Sequence, residues 1–156
     1  MQVGFCTNPD VIRAIYSDKF VEERYEDSGY FGWIDDPSVF YIVGVVGDKY
    51  VAAAMIIRRD ALDYEAHIAV PGEDRANKFN SVEFCNLACE LLFNTFPQLN
   101  RVSTGIVDCF PQVMAMTRRF GFTKEGVKRE AAKREDGFHD VHIYSITRAE
   151  HGRRWR

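Results

Sequence analysis

The stretch Ala61-Leu62-Asp63-Tyr64-Glu65-Ala66-His67-Ile68-Ala69-Val70-Pro71-Gly72 alternates strictly, with Leu62, Tyr64, Ala66, Ile68 and Val70 on one side and Asp63, Glu65 and His67 on the other. A period of two is that of a strand with unlike faces, and Pro71-Gly72 closes it. Downstream, Asn80 and Glu83 form a capping box, and Phe84, Leu87, Ala88, Leu91 and Leu92 make one apolar helical stripe that stops before Pro97. A second strand is predicted from Arg101 to Asp108. Strand, helix and strand in that order form a crossover unit, so the two strands lie parallel.

Outward from this unit the signals become antiparallel. Val39 to Val46 and Lys49 to Arg58 flank Gly47-Asp48, a two-residue turn with glycine first, and read as a hairpin. Asn8 caps a first helix with Pro9 in its first turn and Val11, Ile12, Ile15 and Tyr16 at helical spacing. Between them, Glu22 to Pro37 sets Tyr25, Tyr30, Phe31 and Trp33 around Gly29 and Gly32 and is expected to be an irregular aromatic loop. On the other side, Pro111 opens a short helix ending at a left-handed cap, Gly121. Strands from Phe122 to Ala132 and from Phe138 to Thr147 follow, joined through Asp136-Gly137. The expected architecture is a single α/β (α+β) domain over residues 1–147 built on a mixed sheet. The end of the chain, residues 148–156 with His151-Gly152-Arg153-Arg154-Trp155-Arg156, is expected to be a solvated basic tail.

Composition narrows the function classes. The chain has 156 residues, 46% hydrophobic and 28% charged, which is ordinary for one folded domain and excludes disorder as its main state. Twenty Lys and Arg against 23 Asp and Glu give a net charge of -3, which argues against general nucleic-acid binding. Met1 to Cys6 lacks the pattern of a secretion signal and no run reaches the ~18 apolar residues of a membrane span, so a cytoplasmic protein without membrane contact is expected. Cys6, Cys85, Cys89 and Cys109 form no Cys-x-x-Cys pair. Cys85 and Cys89 read as a buried reduced pair on a helix, and no metal is expected.

Two places could carry chemistry. Asp63, Glu65 and His67 on a central strand are costly to bury without a partner or a task, so they line a cleft or lie on an exposed face nearer the sheet edge. In a cleft, Glu65 beside His67 is a general-base arrangement. The loop Pro71 to Asn80 leads into a helix start with Arg75 and Lys78, and reads as a phosphate seat or as plain surface. Ligands of such sheets collect at the carboxyl ends of parallel strands. Here that region joins Glu65, His67, the loop from Pro71 to Phe79, and Asp108 to Pro111.

The segments Tyr64-Glu65-Ala66-His67-Ile68-Ala69-Val70-Pro71 with Arg75, Phe120-Gly121-Phe122-Thr123-Lys124-Glu125-Gly126, Asp136-Gly137, and Asp140 to Tyr144 together resemble the GCN5-related N-acetyltransferase (GNAT) superfamily. The likeness is to its ribosomal-protein-acetylating branch and to phage-encoded acetyltransferase-like proteins. It implies about seven strands and about four helices, with a splayed parallel pair at the centre. It implies acetyl-CoA as co-substrate and direct transfer to an amine, on a protein or a small molecule. The pantetheine arm would lie along Ile68 and Val70, and the pyrophosphate on the amides of Arg75, Ala76, Asn77 and Lys78. Glu65 would be the base, helped by His67. The place of the family's tyrosine acid holds Thr117 and that of an asparagine at the same helix start holds Phe110, leaving Tyr144 and Cys109 as alternative proton donors. A catalytically inactive relative serving as a binding or virion component is the competing expectation, which would place it in a host cytoplasm or a phage particle. A homodimer is left open.

Overall fold

The computed structural model describes residues 1–19, 21–22, 32–72 and 81–154. In chain order the elements are β1 (Gln2–Cys6), α1 (Pro9–Tyr16), β2 (Val39–Val46), β3 (Lys49–Arg58), β4 (Asp63–Ala69), α2 (described over Ser81–Thr95), β5 (Arg101–Val107), α3 (Pro111–Arg119), β6 (Thr123–Arg134), β7 (Gly137–Thr147) and α4 (Arg148–Arg154). The seven strands form one sheet in the order β1-β2-β3-β4-β5-β7-β6. All neighbours are antiparallel except β4 and β5, as the crossover requires.

Two apolar layers sandwich the sheet. On one face Ile12, Ile15 and Tyr16 of α1 pack on Tyr41, Val43, Ala53, Met55, Ile57 and Ala69. On the other, Phe84, Ala88, Cys89, Leu92 and Phe93 of α2 pack on Ile42, Ala54, Ile56, Tyr64, Val102 and Ile146. The alternation in β4 follows from this arrangement. Tyr64, Ala66 and Ile68 serve the α2 face, while Glu65 and His67 share the α1 face with their β3 partners Ile57 and Met55.

The local signals act as their chemistry predicts. Asn8 accepts the Asp10 amide at 3.0 Å and caps α1. Gly121 takes φ +95° after α3, the left-handed geometry that glycine adopts without strain. Of the expected aromatic loop, residues 23–31 lie outside the described residues. Its described end is irregular and anchored, because the Tyr41 hydroxyl donates to the Gly32 carbonyl at 3.0 Å and accepts the Ile34 amide at 2.9 Å under the stacked Trp33 ring.

Two features differ from the expectations. Gln2–Cys6 forms an edge strand paired with β2, although five residues at a chain end carry too little pattern to identify one. The expected solvated tail is also helical over Arg148–Arg154 and docked. The Arg148 guanidinium donates to the carbonyls of Phe93, Phe96, Pro97 and Leu99 at the end of α2 and in the turn after it, the Phe96 carbonyl also accepting the Leu99 amide. The His151 ring bonds Asn86 at 2.8 Å, and Glu150 accepts the Thr147 amide at 2.8 Å. Among the described residues no helix is long and apolar enough to cross a membrane.

Candidate active site

The parallel ladder between β4 and β5 is short. It pairs Asp63 with Arg101, Tyr64 with Val102 and Glu65 with Ser103, then stops, although β4 runs on to Ala69 and β5 to Val107. A cavity of about 420 Å³ occupies the separation. Its lining includes His67, Gly105 and Val107, whose positions belong to the α1 face of the strands, as well as Ile68, Thr104 and Ile106 of the other face. α2 and α3 wall it with Cys85, Ala88, Cys89, Val113, Met116 and Thr117, and Lys133 and Arg134 at the end of β6 add positive charge.

Glu65 stands at the last rung of the ladder, half-buried, and reaches the cavity through His67. Its Oε1 lies 2.7 Å from His67 Nε2, and its Oε2 accepts Arg59 Nε at 2.6 Å. Hydrogen bonding from His67, against the cost of burial and with the added pull of Arg59, lowers the Glu65 carboxyl to about 2. The group is a fixed carboxylate at neutral pH and a weak proton acceptor by itself.

The same face continues across β5, β7 and β6 as one polar network. Ser103 pairs with Glu65 on one side and Ser145 on the other. Its hydroxyl donates to Asp63 at 2.8 Å, Arg101 contacts Asp63 at 3.1 Å and Glu125 at 2.6 Å, and Ser145 donates to Glu125 at 2.6 Å. The hydrogen bond from Arg101, joined by that from Ser145, holds Glu125 below the ordinary carboxylate range. Three carboxylates, Asp63, Glu65 and Glu125, therefore face two guanidiniums, Arg59 and Arg101.

The remaining expected residues are distributed unevenly. Ile68 and Phe110 line the cavity, and Val70 is buried at the end of β4, packed in the α2 layer. Thr117 also lines it, but its hydroxyl donates to the Val113 carbonyl at 2.9 Å. Tyr144 is fully buried on β7 and does not line the cavity; its hydroxyl accepts from Arg118 at 3.2 Å. Arg75, Ala76, Asn77 and Lys78 lie outside the described residues. Cys85 and Cys89 are buried reduced thiols on the cavity wall, and burial pushes Cys89 up to about 12, which leaves it inert.

Sequence reasoning missed the partners. Arg59 reaches Glu65 across a corner that Asp60 folds by accepting the amides of Leu62 and Asp63 at 2.7 and 2.9 Å. The Asp at the polar corner was its only signal. Asp108, Cys109 and His139 bring candidate metal-ligand atoms within 4.8 Å of one another next to the cavity-lining Val107 and Phe110. His139 bridges two carboxylates, with Nδ1 2.6 Å from Asp108 and Nε2 2.8 Å from Asp136, as an ionic clamp. Asp136 and Asp108 raise the imidazole above its ordinary range.

No family model matches the chain, and no curated protein does. Solved structures do match over its whole length. A mutant of the spermidine N-acetyltransferase SpeG from Vibrio cholerae is 17% identical with all of both chains covered and a TM-score of 0.78. The spermidine/spermine N-acetyltransferase SpeG from the same organism, in complex with manganese ions, is 18% identical over 99% of this chain and 96% of that one, with a TM-score of 0.75. The spermidine N-acetyltransferase from Vibrio cholerae in complex with CoA and spermine is 18% identical over 96% of each chain, with a TM-score of 0.71. These matches are to polyamine acetyltransferases, and at 17–18% identity what this chain shares with them is the fold. The split parallel pair, the element order and these matches agree on one conclusion: the chain has the GNAT acetyltransferase fold.

Proposed function

We propose that this protein transfers an acetyl group from acetyl-CoA to the amine of a cationic acceptor of the polyamine class, by direct attack in a ternary complex. The observation that carries the reading is the ladder that ends at Glu65 and Ser103, with the cavity lined by His67, which bonds Glu65, and by both strands beyond that rung. A thioester entering from the α2 and α3 side meets an acceptor on the α1 side at that gap.

The residues present suit the co-substrate. Ile68, Val70 and the apolar walls of α2 and α3 flank the pantetheine arm. Lys133 and Arg134 supply positive charge, while Arg75, Ala76, Asn77 and Lys78, expected from the sequence to hold the pyrophosphate, lie outside the described residues. On the acceptor side the excess of carboxylates over guanidiniums favours an ammonium group.

His67 takes the proton from the ammonium, since the Glu65 carboxylate is too acidic to serve alone. Glu65, held by Arg59, orients the ring and stabilises the imidazolium. The freed amine bonds the thioester carbonyl carbon, the carbon–sulfur bond breaks, the sulfur leaves as a thiolate, and the second proton that the nitrogen sheds on becoming an amide passes to that thiolate or to solvent. A thiol of ordinary pKa ~8.5 needs no strong acid to leave, which suits a site where the Thr117 hydroxyl is already donated to a carbonyl. Thiol release from acetyl-CoA, measured with spermidine, spermine, an aminoglycoside and a peptide amine, tests the reading. Turnover with the polyamines supports it. Binding of CoA without turnover of any amine would leave the chain a ligand-binding relative instead.

A further inference from the structure

The turn after β5 and the start of β7 bring together three kinds of metal ligand. Val107 pairs with Val141 at the end of the β5–β7 ladder, so Asp108 and Cys109 run on beside Asp140 and His139. The Asp108 amide donates to the Asp140 carbonyl at 3.0 Å and holds that register. A carboxylate oxygen of Asp108, the sulfur of Cys109 and a ring nitrogen of His139 then lie within 4.8 Å of one another. No ligand spacing in the sequence announces the set, because the fold alone makes Cys109 and His139 neighbours.

The surrounding contacts suit a ligand set. Asp108 Oδ1 lies 2.6 Å from His139 Nδ1, and Asp108 Oδ2 accepts the Asp140 amide at 3.3 Å. Behind the ring, Asp136 lies 2.8 Å from Nε2. A carboxylate on the outer nitrogen of an imidazole fixes the tautomer and aims the inner nitrogen at a metal. The His139 side chain is mostly covered while Cys109 is exposed, which leaves an ion a way in. A separate observation also points to a bound species. His142, a face-mate of Asp140 on β7, is close enough to Asp108 for their charges to interact, and its buried Nδ1 has no hydrogen-bond partner among the described residues. A buried ring nitrogen of this kind calls for a water or an ion beside it.

We propose that Asp108 Oδ1, Cys109 Sγ and His139 Nδ1 bind a Zn²⁺ ion, with water in the fourth position and Asp136 holding the imidazole from behind. Sulfur, nitrogen and one carboxylate oxygen are the donors of a tetrahedral zinc site, whereas Ca²⁺ and Mg²⁺ take oxygen. In the metal-free chain the groups close on one another as the ionic clamp. The ion takes the place of the proton between Asp108 and His139, and that proton and the thiol proton pass to solvent. Occupation ties the turn after β5 to the β6–β7 hairpin. It does so next to Phe110, which lines the cavity and carries the Arg134 guanidinium 5.1 Å above its ring. The inference is independent of the transferase reading.

The test is titration of the full chain, reduced and stripped of metal with a chelator, with Co²⁺ followed by visible absorption and then displaced by Zn²⁺. The expected result is a single bound Co²⁺ with the strong visible bands of a tetrahedral ion and a thiolate charge-transfer band. Cys109→Ser, a change at an exposed side chain, should abolish the charge-transfer band and weaken Zn²⁺ at least tenfold. Asp136→Asn touches no metal and should still weaken Zn²⁺ by about 10- to 100-fold, with the charge-transfer band retained. Far-ultraviolet circular dichroism verifies that both variants are folded. No Co²⁺ binding at millimolar metal, or the weak spectrum of a six-coordinate ion, overturns the proposal. So does a charge-transfer band that survives in Cys109→Ser, which assigns the metal to another thiol.

Discussion

Replacing Glu65 by Gln keeps the shape of the side chain and removes its charge, so it isolates what the carboxylate does for His67 and Arg59. The structure sets the scale. A carboxyl lowered from 4.5 to about 2 is favoured in its ionised form by ~3 kcal/mol at ~1.4 kcal/mol per pKa unit. With 22% of the side chain exposed and Arg59 half in solvent, screening reduces this, and ~1 to 2 kcal/mol is expected. Because the folded-state value is depressed, the stabilisation is complete above about 4.5 and disappears as the pH falls toward about 2. Urea unfolding of both proteins at pH 7, 4 and 2.5 should therefore show a wild-type advantage that shrinks with acidity. In parallel, kcat/KM for amine acetylation should fall by ~10²-fold or more, with CoA affinity nearly unchanged, since a neutral amide cannot stabilise an imidazolium. A variant equally stable at all three pH values and fully active would refute both the electrostatic role and the base assignment.

Other consequences follow from the packing. Arg148→Met removes a cation bonded to four backbone carbonyls and should cost ~3 kcal/mol or more in urea unfolding; a loss under ~1 kcal/mol would mean that α4 docks without it. Gly44→Ala sets a Cβ 2.9 Å from the fully buried Phe84 ring, and ~1 to 3 kcal/mol of destabilisation is expected, whereas a neutral outcome would show that the ring shifts freely. His139, held between Asp108 and Asp136, should titrate by NMR with a midpoint above 6.5. A raised value means that its stabilisation is complete below about 6.5 and is lost as the pH rises through the folded-state midpoint, so His139→Gln should weaken the protein more at pH 5.5 than at pH 9. A midpoint below 6.5 contradicts the clamp.

The central unit was legible because its signals are local and periodic. Alternation in β4, the stripe of α2 and the Pro71-Gly72 break specify strand, helix and parallel strand without knowledge of any contact. The pairing Glu65 with His67 was legible for the same reason, since residues two apart on a strand share a face. What could not be read depends on register between distant strands. Ser103, Ser145 and Glu125 meet only because β7 lies between β5 and β6, and no spacing in the chain encodes that order. The tail misled because its charge pattern is that of a solvated segment, while Arg148 is fixed by carbonyls at the end of α2 some 50 residues earlier. Thr117 was named by its place in a family pattern and Tyr144 as an alternative proton donor, and only the coordinates show one hydroxyl bonded to a carbonyl and the other away from the cavity.

The central claim is that the gap between β4 and β5 holds acetyl-CoA, and titrating CoA into isotope-labelled protein while following backbone amide shifts tests it most directly. Saturating changes at residues 66–70 of β4 and 104–107 of β5, with smaller ones along α1, are the predicted result. Unperturbed amides at both strand ends in the presence of millimolar CoA would contradict it.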